Sequence, residues 1–353
     1  LGRLVSDLAD AIADEADEGG TWQRRARTAE RGLRETSKAL EEAQRQLDVL
    51  LALDAYESAP PKWVAAKNRG KHEGTPVVLL SDTHFDEHVD PVEVDGANAY
   101  SREIAEQRLH RTFTSSVKVL RDHFAGLTYP GAVIMLGGDM LSGNIHEELR
   151  ETNEATVLDS VQHWLDHLTA FVGNTADEFG RVHVYGVVGN HGRLTRKPRA
   201  KLRARDNLDW LLYRLLARDF RTDDRVTFTI PDSSDCRVDV CGTRFLLTHG
   251  DQFRGGTGIA GMLSPLMLGR HRKGQREASL GEPFEWLVMG HWHQYATVQG
   301  IIVNGALKGF DEYAYQSNFR PEPPCQALWV TTPEHGVTFT APLFPGNQRR
   351  EGW

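Results

Sequence analysis

The sequence predicts an α/β domain of two facing mixed β-sheets flanked by helices, preceded by an N-terminal helical segment with coiled-coil character. Three observations predict it. Short apolar runs alternate with longer amphipathic stretches from residue 76 to about residue 226, the pattern turns β-rich after Val226, and residues 26–50 repeat with a period of seven.

Composition bounds the reading. At 353 residues, one large catalytic domain plus an appendage is the natural expectation. With 40% hydrophobic and 25% charged residues, the chain reads as an ordinary soluble protein. No apolar run approaches the ~20 residues that span a bilayer, so no membrane association is expected. A formal net charge of -8 argues against a wholly cationic surface that grips nucleic acid nonspecifically, although it leaves room for a local patch. Cys236, Cys241 and Cys325 lack the C-x-x-C spacing of zinc or redox sites and are too sparse for a disulfide framework, which suits a reducing cytoplasm. No secretory signal is visible at the N-terminus.

In order along the chain, Leu4, Leu8, Ile12 and Ala16 recur at helical spacing until Gly19-Gly20 breaks the pattern. Ala26, Leu33, Leu40 and Leu47 then fit one heptad position, and Ala29, Thr36, Ala43 and Leu50 the other. This segment, 1–58, is expected to join protomers into a homo-oligomer, to recruit a partner protein, or to lie on its own catalytic domain. Pro60-Pro61 and the polar run Lys67 to Thr75 read as a linker over 59–75. A catalytic domain follows over 76–345, and a tail over 346–353.

Within that domain Val77 to Leu80 reads as a strand, Ile104 to Phe124 as a helix, Ala132 to Leu136 as a second strand and Val157 to Val172 as a helix. Val182 to Val188 is a third strand, and Leu208, Leu211, Leu212, Leu215 and Leu216 mark another helix. Further apolar runs lie around Val238, Phe245 to Leu247, Leu287 to Met289, Val298 to Val303 and Leu328 to Val330.

Five strings that each follow such a run carry the chemistry: SDTH with Asp82 and His84, GGDM with Asp139, VGNH with Asn190 and His191, THGD with His249, and GHWH with His291 and His293. Strand ends are where sites in open α/β sheets gather. The seven donors Asp82, His84, Asp139, Asn190, His249, His291 and His293 mix oxygen and nitrogen without thiolate, a set that suits two transition-metal ions better than Mg or Ca. Mn is expected, with Fe, Zn or Co as alternatives. Singly, each residue could equally be a cap, a turn residue or a solvated side chain.

The order and spacing of D-x-H, G-D, G-N-H, H and G-H-x-H resemble the calcineurin-like metallophosphoesterase superfamily over residues 76–345. The resemblance implies that Asp82, His84 and His293 hold one metal, that Asn190, His249 and His291 hold the other, and that Asp139 bridges them. It implies that His191 stays off the metals and stabilises the transition state or protonates the leaving oxygen. Gly192 stands where the family carries an acid that orients this His, so either another carboxylate, Asp251 or Glu147 first, does so or His191 is less restrained. His88, four residues after His84, matches no family position. His72, His110, His123, His163, His167, His183 and His335 are expected to be structural or surface groups.

Immediately after His191, a basic run contains Arg193, Arg196, Lys197, Arg199, Lys201, Arg203 and Arg205. In an extended strand the odd positions from 197 to 205 would share one face and could bind phosphates, so nucleic acid is the expected partner; the alternative is a solvated charge run. A second basic cluster, Arg270 to Arg276, follows a glycine-rich stretch, Gly255 to Gly261, that reads as a flap. The motifs and the basic run lean toward break-repair DNA nuclease subunits, although Ser142 stands where those carry His, with Asn144 and His146 nearby. A looser likeness to uncharacterised bacteriophage metallophosphoesterases lies in residues 251–276 and in GALKGFDEYAYQSNF. The expected activity is therefore two-metal hydrolysis of phosphodiesters, of nucleic acid first and of small nucleotides second. A binding or assembly protein with a retained metal centre is the reading from another class.

Overall fold

A computed structural model describes residues 31, 34, 38, 59–65, 73–124, 126–255, 261–298 and 300–353. The expected heptad seam and the tip of the flap lie outside the described residues, apart from Arg31, Arg34 and Lys38, which are helical. The chain divides into two units between Tyr56 and Glu57, and the second unit carries both sheets.

The six-stranded sheet has the order β11-β10-β1-β2-β3-β4, built from β1 (Thr75–Leu80), β2 (Ala132–Leu136), β3 (Val182–Gly186), β4 (Val226–Thr229), β10 (Gln326–Thr332) and β11 (Gly336–Leu343). β1 to β4 run parallel, with Val77 beside Val133 and Ala132 beside Val182, while β10 pairs antiparallel with both β1 and β11. The five-stranded sheet has the order β5-β6-β7-β9-β8, from β5 (Asp235–Val240), β6 (Thr243–Thr248), β7 (Trp286–Met289), β8 (Ala296–Val298) and β9 (Ile301–Val303). Its centre, β6-β7-β9, is parallel and both flanks are antiparallel. Both sheets are therefore mixed.

Alternation along the strands explains how the sheets face each other. Val77, Leu79, Val133, Met135, Tyr185, Ala327 and Trp329 of the first sheet meet Val238, Phe245, Leu247, Val288 and Ile302 of the second in one buried cluster. The intervening residues Val78, Leu80, Ile134 and Leu136 are buried as well, so β1 and β2 read as continuous apolar runs with both faces covered. α4 (Val157–Phe179) packs on β2 and β3, and α2 (Arg102–Lys118) packs on α4. α5 (Leu208–Asp219) packs on α4. On the outside of the second sheet, Leu246, Leu287, Met289, Ile301 and Val303 cluster with Leu266 of α6 (Leu263–Ser279). Among the described residues, no helix is long and apolar enough to cross a membrane.

Several boundaries differ from expectation. The linker expected over 59–75 is in part structured: α1 (Lys62–Ala65) buries Val64 in the core between the sheets, Trp63 packs against the same cluster, and Thr75 already opens β1. Within the expected tail, 346–353, α8 (Gln348–Glu351) places Glu351 against the fully buried Arg108 at 2.9 Å, with Arg111 on its other oxygen. The helix expected from Ile104 to Phe124 is α2 followed by a π turn over Val119–His123. The run Val298 to Val303 is a hairpin, with Gly300 at φ 77 between β8 and β9, where a left-handed turn suits glycine.

Candidate metal centre

The five strings lie at the C-terminal ends of parallel strands from both sheets: Asp82 and His84 after β1, Asp139 after β2, Asn190 and His191 after β3, His249 after β6, and His291 and His293 after β7. Strand ends from facing sheets thus bring donors together from five loops. Asp82, His84, Asp139, His291 and His293 all have positive φ, between 44° and 68°. Non-glycine residues adopt this region at a cost of order 1–3 kcal/mol each, and such strain persists where surrounding structure enforces it, commonly at functional sites.

Glycines let the loops close on the carboxylates. A Cβ at Gly290 would overlap Asp82 Oδ2, and one at Gly189 would overlap Asp139 Oδ1. This accounts for the glycine in G-H-x-H and in G-N-H. Gly138, at φ 89, lies so close to the Gly189 backbone that a side chain there would collide as well.

The donors converge in overlapping groups whose ligand atoms lie within 4.8 Å of one another: Asp82, His84 and His293; His84, Asp139 and His191; and Asp139, His249 and His291. Asp139 therefore connects the two sides. His84 Nε2 and His293 Nε2 stand 3.2 Å apart, and His293 Nε2 is 3.5 Å from Asp82 Oδ1. On the other side His249 Nε2 is 3.0 Å from Asp139 Oδ2 and 3.2 Å from Asn190 Oδ1. All seven expected donors are gathered at one place.

The outward nitrogens are already engaged, which turns the other nitrogens inward. His249 Nδ1 donates to the Gly137 carbonyl at 2.9 Å, which turns Nε2 toward Asp139. His84 Nδ1 lies 3.0 Å from Glu87 Oε2. Glu87 is in turn bonded by Lys308 Nζ at 2.6 Å, and Lys308 reaches Asp311 at 2.6 Å. These groups are almost wholly buried.

Electrostatics at the site call for positive charge. Burial opposes the Asp82 carboxylate, yet His293 and His249 hold its pKa below the usual value. Asp139 is likewise held well below the carboxylate range, against burial, by His249 and His191. His249 carries the complement: burial lowers its pKa, but Asp139 and Asp82 together push it up to about 10. Asp139 Oδ2 is buried, with His249 Nε2 beside it at 3.0 Å. Buried carboxylates and inward-facing imidazole nitrogens, without a thiolate, form a donor set that fits a pair of divalent transition metals, which would take the place of the His249 proton beside Asp139.

His191 is held differently from expectation. Its Nδ1 donates to the Ser142 carbonyl at 2.9 Å and its backbone N–H to Asp139 Oδ1 at 2.6 Å. Neither expected carboxylate reaches it, since Asp251 pairs with Arg203 at 2.7 Å and Glu147, which opens the short α3 (Glu147–Thr152), stands at the surface 4.0 Å from Arg196. Gly192 has a steric reason, because a Cβ there would overlap Asn207 Oδ1. A family-type acid has no room. Burial, ahead of every charge, depresses the His191 pKa to about 3, so the imidazole is neutral with its Nε2 lone pair unoccupied by the Ser142 contact.

One buried acid of the centre belongs to none of the five strings. Asp209, in the first turn of α5, accepts from Asp139 N at 2.9 Å and Gly189 N at 2.9 Å through Oδ2, and from Met140 N at 3.2 Å through Oδ1. It ties the G-D loop to the G-N-H loop. Burial, and then the Asp139 charge, raise its pKa to about 6. Its signal in the sequence is Asn207-x-Asp209 at a helix start, which reads equally as an ordinary N-cap.

A cleft of about 470 Å³ opens over His84, Asp139, His191, His291 and His293. Its far wall comes from the GALKGFDEYAYQSNF segment and the residues up to Glu322, including α7 (Glu312–Gln316), with Tyr313 70% and Phe319 50% exposed. Arg320 lines it, as does Trp292, whose buried Nε1 has no hydrogen-bond partner. None of these wall residues is among the expected site residues, although Trp292 lies within the GHWH string and Tyr313 and Phe319 within the GALKGFDEYAYQSNF segment.

The basic run is not an extended strand. Residues 195–206 form bends, turns and irregular loop, so the odd-position alternation does not put side chains on one face. Arg193 is consumed locally, donating to the Asn190, Thr195 and Arg196 carbonyls, and Arg203 pairs with Asp251. Arg193, Arg199, Lys201 and Arg203 line a hollow of about 20 Å³ beside Asn190 and do not line the main cleft. Arg196, Lys197, Arg199 and Lys201 are exposed. In the second cluster Lys273 and Arg276 are held by Asp235 at 2.7 and 2.5 Å. His88 lies apart from the centre, 3.4 Å from Glu154.

No family model and no curated protein matches the chain. Among solved structures, a dimetal phosphatase from Danio rerio aligns at 11% identity and TM-score 0.33, covering 77% of this chain and 99% of its own. A zinc-complexed Vps29 from Entamoeba histolytica aligns at 10% identity and TM-score 0.28, covering 77% and 100%. An Old Yellow Enzyme from a Pichia species aligns at 10% identity and TM-score 0.24, covering 75% and 89%. Likenesses at this level do not bear on activity, and the chemistry rests on the geometry above. That geometry is two mixed sheets flanked by helices, with Asp, Asn and His side chains gathered at the strand ends in groups that could hold metal ions.

Proposed function

We propose that this chain hydrolyses phosphodiester bonds at a two-metal centre, with Asp82, His84 and His293 on one ion, Asn190, His249 and His291 on the other, and Asp139 shared. The observation that carries the reading is the membership of Asp139 in donor groups on both sides. Two divalent ions so held would neutralise charge developing on the phosphoryl oxygens and acidify a water for in-line attack. Manganese suits the donors, as do iron, zinc and cobalt.

The chain's own groups do the rest. His191 has its Nδ1 proton fixed by Ser142, leaving Nε2 as the atom placed to carry a proton to the departing oxygen. An anionic phosphodiester beside it favours the protonated imidazole and so opposes the effect of burial. Arg320 offers a cation and Trp292 Nε1 an unpaired donor to substrate oxygens, while Tyr313 and Phe319 offer faces for a planar base. A nucleotide-sized group therefore fits the cleft. The exposed Arg199 and Lys201 beside Asn190 would meet neighbouring phosphates of a polynucleotide, which supports nucleic acid as the polymeric form of that substrate.

The test is turnover by Mn-loaded protein of bis-p-nitrophenyl phosphate, a dinucleotide, and single- and double-stranded DNA, with Asp139→Asn as control. Hydrolysis falling roughly a thousandfold in the variant, equivalent to about 4 kcal/mol of transition-state stabilisation, is expected. Turnover of the small diesters without DNA cleavage would restrict the reading to nucleotides. Metal binding without Asp139-dependent turnover would replace it with a binding protein that retains a metal centre.

A further inference from the structure

Away from the strand-end cluster, α2 and α4 lie side by side and bring together Glu106, His163 and His167. His163 and His167 are four residues apart on α4, hence on one helical face, and their rings stand 4.6 Å apart. Glu106 of α2 projects between them, with Oε1 2.8 Å from His163 Nε2 and 3.5 Å from His167 Nε2. We infer that these three side chains form a second, independent divalent-cation site suited to zinc, which fastens α2 to α4.

Two imidazoles and a carboxylate are a donor set that zinc accepts, with bonds of ~2.0–2.1 Å, so tetrahedral ligand atoms sit roughly 3.3 Å apart. The observed 2.8 and 3.5 Å bracket that edge. All three side chains are about one-third exposed, between 30% and 35%, so an ion could reach them without unfolding the helices. Beside Glu106 and His167 a hollow of about 80 Å³ leaves space for water to complete the coordination. The cation that would compete for Glu106, Arg102, has its Nε on Asp86 at 2.5 Å. The histidine pair expected from sequence to be structural or surface groups thus has the geometry of a clamp.

The clamp would reach the catalytic loop through Asp86. This residue follows His84 in the same loop, has φ 69, and is gripped from both helices: Arg102 of α2 on Oδ1, and Trp164 of α4, whose Nε1 donates to Oδ2 at 2.9 Å. Fixing α2 against α4 therefore fixes the two groups that hold Asp86.

Zinc titration of the full chain by calorimetry tests this, comparing wild type with His163→Gln/His167→Gln. The double variant is expected to bind one equivalent fewer, and Glu106→Gln alone to weaken that class of binding more than tenfold. Both chains share the Asp139 cluster, so the difference is decided whatever that cluster does. Circular dichroism without zinc checks the fold, and if the double variant misfolds the Glu106→Gln titration decides. Equal zinc stoichiometry and affinity in variant and wild type would overturn the inference.

Discussion

Removal of the Asp209 carboxylate is the sharpest structural test of how the centre is held. Asp209→Ala leaves three buried backbone N–H groups, those of Asp139, Met140 and Gly189, without their acceptor. An unsatisfied buried donor costs about 1–3 kcal/mol, so three of them, partly relieved by water, amount to roughly 3–6 kcal/mol. Asp209→Asn is the graded control. Its amide oxygen can take the Oδ2 place and keep the bonds from Asp139 and Gly189, while its NH2 faces the Met140 N–H, so about 1–3 kcal/mol is expected. Urea denaturation of metal-free protein reads stability, and Mn binding followed by calorimetry reads the site. Because Asp209 sets the backbone of both loops that carry Asp139 and Asn190, the Ala variant should also bind Mn about 10–100-fold more weakly. A variant less than ~1 kcal/mol destabilised, with unchanged Mn affinity, would refute the argument that Asp209 ties the loops together.

The same packing sets other expectations. Lys308→Met strands the buried Glu87 and Asp311 carboxylates, so urea unfolding should show a loss of about 3–5 kcal/mol, the cost of breaking a buried charge network by one partner. Gly290→Ala forces a methyl into Asp82 Oδ2; reduced Mn affinity measured by calorimetry is expected, with wild-type affinity as the contrary result. His183, buried between Thr227 and Thr229, has its pKa lowered by burial from 6.5 to about 3. The unfolded chain therefore takes up a proton below pH 6.5 that the folded chain refuses, so this contribution is complete above pH 6.5 and is lost as pH falls toward 3. At about 1.4 kcal/mol per unit its upper bound is about 5 kcal/mol. His183→Gln should flatten the acid limb of stability against pH, and an unchanged limb would count against this source.

Much of this architecture is legible in the sequence because parallel central strands are buried on both faces. TPVVLL and AVIML are continuous apolar runs, and each leads at once into a polar string that can only be a loop. The seven donors are legible for the same reason, because strand ends fix where loops point. β11 escapes a sequence reading because it lies at the sheet edge with Thr338, Phe339 and Thr340 exposed and no continuous apolar run, and α6 because Pro265, Gly269 and Gly274 interrupt its helical pattern. Gly269 is needed there, since a Cβ would press into the Phe253 ring. Asp209, Ser142 and the Tyr313–Phe319 wall are not legible, since their roles depend on contacts about 50 or more residues away or on which face of a loop closes the cleft. Local pattern also misleads. The basic run after His191 has alternating charges suited to a strand, but Pro198 and the ties from Arg193 to nearby carbonyls belong to a folded loop.

The most direct measurement is anomalous diffraction from a crystal of the chain soaked in Mn. The account predicts two peaks about 3.5–4 Å apart, one on either side of the Asp139 carboxylate, with His84 and His293 on one ion and His249 and His291 on the other. A single peak, or peaks away from Asp139, would contradict it.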